Sequence, residues 1–241
     1  MSVTERYKDA WESFWENAPE EPGGVFWDAE PALTAALHVA LFEPRLASPG
    51  LPVVDLGCGN GTQTRFLADR YRKVVGVDLS VAAVDRARAA DRAEQAEYRR
   101  IDGTDNDQVG MLHAELGDVN VYMRGVLHQS DPADRQRLVD AVAALVGERG
   151  CGFVVELSER ARPILQGLAQ SPSGPPPKLA PVFAHGIAPG EVSDAAVPEY
   201  VAAAGLDVLA AGELPLTTTE RAADGAWLEL PSTWMVVGRR P

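Results

Sequence analysis

Three groups of residues have types and spacings suited to chemistry. In residues 53–64, VVDLGCGNGTQT, an acid at Asp55 closes an apolar run and glycines follow at Gly57, Gly59 and Gly61. Alternating glycines let the backbone turn sharply and let a ligand lie against the main chain. A helix expected to open near Thr62 directs its free amides at the same place. Backbone amides do most of the binding in such a loop, so the side chain of Cys58 is incidental and is given no redox or nucleophilic role. The next apolar run, KVVGVDLS, ends at Asp78 and Leu79, with Asp78 standing 21 residues beyond Gly57. That is close to the roughly 20-residue offset at which an acid meets a ribose hydroxyl in nucleotide-binding βαβ units. Its competing duty is to cap the following helix, for which Ser80 also serves.

The groups able to move a proton lie further on. His128 follows the fourth apolar run and is a candidate general base, or else a structural hydrogen bonder in a helix-opening turn. His185 sits in a Pro/Gly-rich stretch and either reaches over a substrate or is a solvated loop histidine. Glu156 ends the fifth run and either orients a substrate or pairs with Arg160. His38 and His113 fall within helical patterns and read as core-edge or surface residues. Tyr7, Trp11, Phe14 and Trp15 recur at helical intervals, making an aromatic stripe that is either core or pocket wall, where Tyr7, Trp11 and Trp15 can stack on a flat ligand or face a cation. Phe26 and Trp27 have the same status. Asp102, Asp105 and Asp107 are read as solvated loop acids rather than a metal site, and no metal is expected.

These residues need elements to hold them at one edge of a sheet. Strands are predicted at about 52–56, 73–78, 96–101, 118–124 and 151–157, with helices at about 62–71, 81–92, 107–116 and 132–146. Strand and helix alternating at this spacing predict an α/β fold, a doubly wound and mostly parallel sheet. A helix (VPEYVAAAGLDVL) and two β-like runs, about 207–216 and 233–239, predict a C-terminal antiparallel addition. Before the sheet, a helix whose Ser2 and Glu5 have capping-box spacing runs to Pro19, and a second pattern spans about 31–42. Residues 1–50 are therefore expected to be an N-terminal helical cap. The rest, 51–241, forms the ligand-binding domain, with residues 159–193 a lid-like insertion that opens with helical ERARPILQGLAQ and continues as a Pro-rich irregular stretch.

At 241 residues, 46% hydrophobic and 24% charged, the chain has the composition of an ordinary globular protein. Twenty-two Lys and Arg face 35 Asp and Glu, a net charge of −13. That charge disfavours nucleic acid and anionic membrane as partners. Its acidity is concentrated in residues 1–30 and 191–230, which favours neutral or cationic small molecules over polyanions. Two cysteines without metal spacing, and no apolar stretch of membrane length, lead to a cytoplasmic expectation. Monomer and homodimer are both compatible with the sequence.

A dinucleotide fingerprint requires G-x-G-x-x-G. An acid followed by G-x-G-x-G, with a second acid after the next strand, instead resembles the first two motifs of the class I S-adenosylmethionine-dependent methyltransferases. The resemblance covers about residues 51–157 and 197–240 and implies a Rossmann-like sheet binding S-adenosylmethionine, with S-adenosylhomocysteine as product. It implies that the cofactor's methionine moiety lies against the Gly57–Gly61 loop, with Asp55 near its amino group. Asp102 and Gly103 match the position that meets the adenine amino group. The run Arg124 to His128 falls where the fourth motif ends beside the methyl group. The implied reaction is methyl transfer to a small organic acceptor at oxygen or nitrogen. The alternatives are a non-methylating cyclisation or rearrangement with the same cofactor, and a non-catalytic binding protein.

Overall fold

A computed structural model describes residues 3–172, 174–187, 192–222 and 224–240. Ser2 of the expected capping box lies outside these, as do Ser173 and residues 188–191 of the expected insertion. The parallel half of the sheet is built from β1 (Val53–Leu56), β2 (Val74–Asp78), β3 (Glu97–Arg100), β4 (Asn120–Arg124) and β5 (Cys151–Leu157). Runs such as VVDL and CGFVVEL are apolar at nearly every position because both faces of these strands are covered. Two further strands, β6 (Asp207–Glu213) and β9 (Ser232–Gly238), complete a seven-stranded sheet of order β3-β2-β1-β4-β5-β9-β6. β9 runs antiparallel to both neighbours, so the expected C-terminal antiparallel pair is present and its last strand lies inside the sheet.

Alternation along each strand sends neighbouring side chains to opposite layers. On one face Val121, Met123 and Val154 pack with α5 (Asn106–Leu116), α6 (Arg135–Val146) and α9 (Ala196–Ala203). On the other Tyr122, Phe153 and Val155 pack with α2 (Ala35–Phe42) and α3 (Thr62–Ala68). The helix α2, grouped by sequence with the N-terminal cap, thus covers the sheet itself. His38 on α2 is a correction to the core-edge or surface expectation. It is fully buried, 2.7 Å from the Tyr122 hydroxyl, and burial, with Arg124 adding to it, pushes its pKa down to about 3. The imidazole is therefore neutral and structural.

The sequence reading also missed a hairpin. The run expected as one strand over 207–216 breaks at Leu214 and Pro215, and β7 (Leu216–Arg221) pairs antiparallel with β8 (Trp227–Leu230) in a separate two-stranded sheet. Thr219 bonds this hairpin to residues 25 and 26: its amide donates to Phe26 O and its hydroxyl to Val25 O. The expected insertion holds α7 (Ala161–Ala169) and a short α8 (Ala180–Ala184) that opens with Pro181 in its first turn, where a missing N–H costs nothing. The first helix, α1 (Val3–Asn17), lies across α4 (Val81–Ala90), and Glu12 accepts hydrogen bonds from the first amides of α4, Val81 N and Ala82 N.

From β1 the chain winds outward through β2 and β3, then returns to place β4 on the other side of β1. Strand order reverses there, and in open α/β sheets the crevice at the carboxyl ends of such a strand pair is where ligands bind.

Candidate active site

One cavity opens at that reversal. Gly57, Gly59, Asp78, Leu79 and Arg124 form its sheet-side wall, and it extends under α1 and the β7–β8 hairpin. The loop after β1 is held against the loop after β4 so closely that a Cβ on Gly57 would stand 2.5 Å from Val126 Cγ2. Gly59 has a φ of +55°, and a Cβ there would stand 2.8 Å from the Trp15 indole. Only glycine gives both the turn and the clearance at these two positions. Asp78 Oδ2 accepts the Gly59 amide at 2.9 Å and Oδ1 accepts the Ser80 amide at 3.0 Å. Burial raises the Asp78 pKa against the pull of those amides. Ser80 takes the capping role itself, accepting the Ala83 amide at 3.1 Å, which leaves Asp78 to face the cavity.

Other residues singled out by sequence stand behind this wall. Asp55 does not reach the cavity. It is buried beneath the loop, Oδ2 accepts the Thr64 hydroxyl at 2.6 Å, and burial raises its pKa to about 6. Gly61 begins α3 and packs on Tyr98 and Ala87. Burial, with Asp78 and Asp55 adding to it, pushes the Cys58 thiol well above its usual pKa, so it is not poised as a thiolate. At the far end, Asp102 and Gly103 line the cavity. Both carboxylate oxygens of Asp102 are engaged: one by the Lys8 ammonium from α1, the other by the amide and hydroxyl of Thr104. Burial works to raise the Asp102 pKa, but Lys8 and Thr104 together hold it below the ordinary carboxylate value. Asp105 caps α5, accepting the amides of Asp107 and Gln108.

His128 and Glu156 form a buried pair at 2.6 Å, Nδ1 to Oε2. Glu156 also accepts the amides of Val126 and Leu127 on Oε1, at 2.9 and 2.8 Å, and that of His128 on Oε2 at 3.2 Å. With three amides already donating into it the carboxylate acts as an acceptor, so the histidine contact is Nδ1–H donating and Nε2 is the ring nitrogen left uncommitted to Glu156. His128 lines the cavity and Glu156 does not. Glu156 therefore neither lines a substrate pocket nor pairs with Arg160, whose partner is Glu213. Its place is under the turn that carries His128.

Opposite the sheet stands a wall from several distant segments. Tyr7, Trp11 and Trp15 line it from α1, Phe26 and Trp27 from the loop that follows, Leu165, Leu179 and Val182 from the 159–193 region, and Leu216, Thr217, Thr218 and Leu230 from the hairpin. Trp27 is wedged among Trp11, Phe14 and Trp15 at centroid separations of 5.5, 5.3 and 6.3 Å. His185 is absent from the lining. Its Nδ1 lies 2.8 Å from Pro181 O and its ring is edge-on to Phe14, so it supports the wall from behind. The hairpin was missed by sequence, although Asp224-Gly225 is a turn signal of the kind that joins antiparallel strands. Asp28, also missed, lines the cavity and accepts a 2.7 Å hydrogen bond from Asn60.

Residues 53–150 match the model of a methyltransferase domain. An S-adenosylmethionine-dependent methyltransferase from Anabaena variabilis superposes with a TM-score of 0.88 at 29% identity, over 100% of this chain and 96% of that one. The methyltransferase-domain match and this structural neighbour support a class I S-adenosylmethionine-dependent methyltransferase. A ubiquinone biosynthesis O-methyltransferase of Hahella chejuensis is 32% identical over 132 residues, 52% of each chain. The N-demethylindolmycin N-methyltransferase of Streptomyces griseus is 35% identical over 60 residues, 24% of this chain and 25% of that one. The chain spans about half the length, or less, of the curated relatives it matches.

The residues present fit this family's cofactor. The left-handed glycine loop leaves backbone clearance for the amino acid end, and Asp78 retains lone pairs for two ribose hydroxyls. Arg124, a cavity-lining guanidinium with one N–H on Trp27 O, has donors left for a carboxylate. Among the described residues no helix is long and apolar enough to cross a membrane.

Proposed function

We propose that this methyltransferase moves the methyl group of S-adenosylmethionine to a small organic acceptor, at oxygen or nitrogen. The observation that carries the reading is the single cavity in which the glycine loop and Asp78 face an aromatic wall, with His128 among its lining residues. When bound, S-adenosylmethionine supplies an electrophilic methyl carbon on a sulfonium. The chain's part is to hold, align and exclude water, which contributes much of the rate in a displacement between two bound partners.

The loop of Gly57, Cys58 and Gly59 with Arg124 holds the methionine end, Asp78 the ribose, and Leu79, Asp102 and Gly103 the adenine. Asp55 acts from beneath by fixing α3 to the loop through Thr64. Tyr7, Trp11 and Trp15 close the acceptor side. His128 Nε2 takes the acceptor proton, a step a hydroxyl needs more than a neutral amine does. The relatives include an O- and an N-methyltransferase, so both acceptor atoms stay within this reading. Cys58 and Cys151 are free thiols, in keeping with a reducing cytoplasm.

Isothermal titration with S-adenosylmethionine and S-adenosylhomocysteine tests the foundation, and formation of S-adenosylhomocysteine in the presence of an acceptor tests the transfer. Absence of binding by both nucleosides would end the proposal.

A further inference from the structure

Resting on the methyl-transfer reading, we infer that the acceptor is a planar, uncharged hydroxyarene bearing a second polar substituent, with its reacting hydroxyl at His128 and the second substituent at Thr217. Four observations carry this. The wall opposite the sheet is apolar and rigid, with Trp27 fixed on three sides by other aromatic rings. A flat apolar body gains the most from such a surface, and a saturated ring of the same size gains less.

Anions are disfavoured there. Five carboxylates line the cavity, Asp28, Asp78, Asp102, Asp131 and Asp134, against two cations, Lys8 and Arg124. Lys8 is paired with Asp102, and Arg124 bonds Trp27 O and is the group suited to the cofactor's carboxylate. No cation remains in the lining for an acidic acceptor.

Two polar groups of the lining, one on each side of the cavity, bear on the acceptor. His128 offers Nε2, the ring nitrogen not committed to Glu156, which accepts a proton in the neutral tautomer that Glu156 selects. Thr217 is 5% exposed and is among the lining residues, and no hydrogen bond of its hydroxyl is found among the described residues. A hydroxyl at the cavity surface without a protein partner is free to bond a ligand. Thr217 comes from the hairpin and His128 from the sheet edge, so a ligand that satisfies both has polar groups on a rigid frame between them.

The bonds balance without a further reactant. The hydroxyl proton passes to His128 Nε2 as the oxygen lone pair forms a bond to the methyl carbon. The pair from the breaking carbon–sulfur bond stays on sulfur, leaving a neutral thioether, an aryl methyl ether and an imidazolium that returns its proton to solvent.

The test uses the full chain saturated with S-adenosylhomocysteine, whose own titration reports separately on the methyl-transfer reading. Probes are 2-naphthol, its saturated analogue 2-decalinol, the 2,6- and 2,7-naphthalenediols, 2-naphthoate and choline, followed by quenching of tryptophan fluorescence and by calorimetry. The expected result is that 2-naphthol binds about 10-fold tighter than 2-decalinol, 2-naphthoate or choline, and that one diol binds tighter still. Thr217→Val, which removes a hydroxyl at constant shape, should lower that diol's affinity about 5- to 10-fold and leave 2-naphthol unchanged. Tighter binding of naphthoate, choline or decalinol, no diol preference, or a preference that survives Thr217→Val would overturn the inference while methyl transfer stands. Failure of S-adenosylhomocysteine to bind would overturn both.

Discussion

Glu156 holds His128 twice, through the ring nitrogen Nδ1 at 2.6 Å and through the backbone amide at 3.2 Å. One carboxylate therefore sets both where the imidazole stands and which nitrogen faces the cavity. His128→Asn should lower kcat by about 10²- to 10⁴-fold with S-adenosylhomocysteine affinity nearly unchanged. Glu156→Gln should also lower kcat, and should alter the pH–rate profile, because the amide no longer enforces the Nδ1–H tautomer. A histidine of purely structural importance would leave the shape of that profile intact. Glu156→Ala removes the acceptor of three amides, each unmet group costing about 1–3 kcal/mol, and should lower the melting temperature markedly.

Asp78 carries a different load, since it fixes the Gly59 amide and faces the cavity. Asp78→Asn should weaken S-adenosylhomocysteine binding by about 10- to 100-fold, through loss of charge-assisted bonds to the ribose and through loosening of the loop. Calorimetry should register the change mainly as lost enthalpy. An affinity within threefold of the parent would remove Asp78 from the cofactor site.

Asp55 makes stability depend on pH in a defined direction. Its folded-state pKa of about 6, against an ordinary 3.8, means the folded protein binds more protons than the unfolded chain between those values. This contribution is present below about pH 4 and is lost as pH rises to about 6, a change on the order of 2–3 kcal/mol. Asp55→Asn keeps an acceptor for the Thr64 hydroxyl and removes the titration. The melting temperature of the variant relative to the parent should climb from pH 4 to pH 6 and then level off. A flat difference across that range would contradict the assignment.

Gly59→Ala meets two obstacles, a positive φ and the Trp15 indole. The backbone term alone costs about 1–2 kcal/mol. Thermal melts of Gly59→Ala, Trp15→Ala and the double variant should show that truncating Trp15 recovers part of the Gly59→Ala loss and leaves the backbone share. Strict additivity would mean that the two residues do not press on one another.

The cofactor half of the molecule was legible because local rules and tertiary structure agree there. Val53 to Leu56 and Cys151 to Leu157 are strands because they are apolar on both faces, and the glycines at 57 and 59 are required by the turn they make. His128 was legible by position, but its partner was not, since the bond to Glu156 depends on which strands lie side by side. The acceptor wall was the least legible. It draws on residues from near 7, 27, 165, 182, 217 and 230, and no period or motif links segments that distant in sequence. Pro181 was read as part of an irregular stretch when it opens a helix, and Pro215 was read inside a strand when it turns a corner between two strands.

Strands β6 and β9 are neighbours in the sheet, with Glu213 opposite Thr233, so the segment between them leaves and re-enters the fold at one point. Lengthening a segment whose ends are already pinned together costs little, growing only as the logarithm of its length. The hairpin that brings Thr217 and Leu230 to the cavity can thus change in length at small entropic cost, provided a replacement keeps the Thr219 bonds to Val25 and Phe26. A different sequence can be spliced between Glu213 and Ser232 to redraw the acceptor chamber, while the strands that carry the glycine loop, Asp78 and His128 are left as they are.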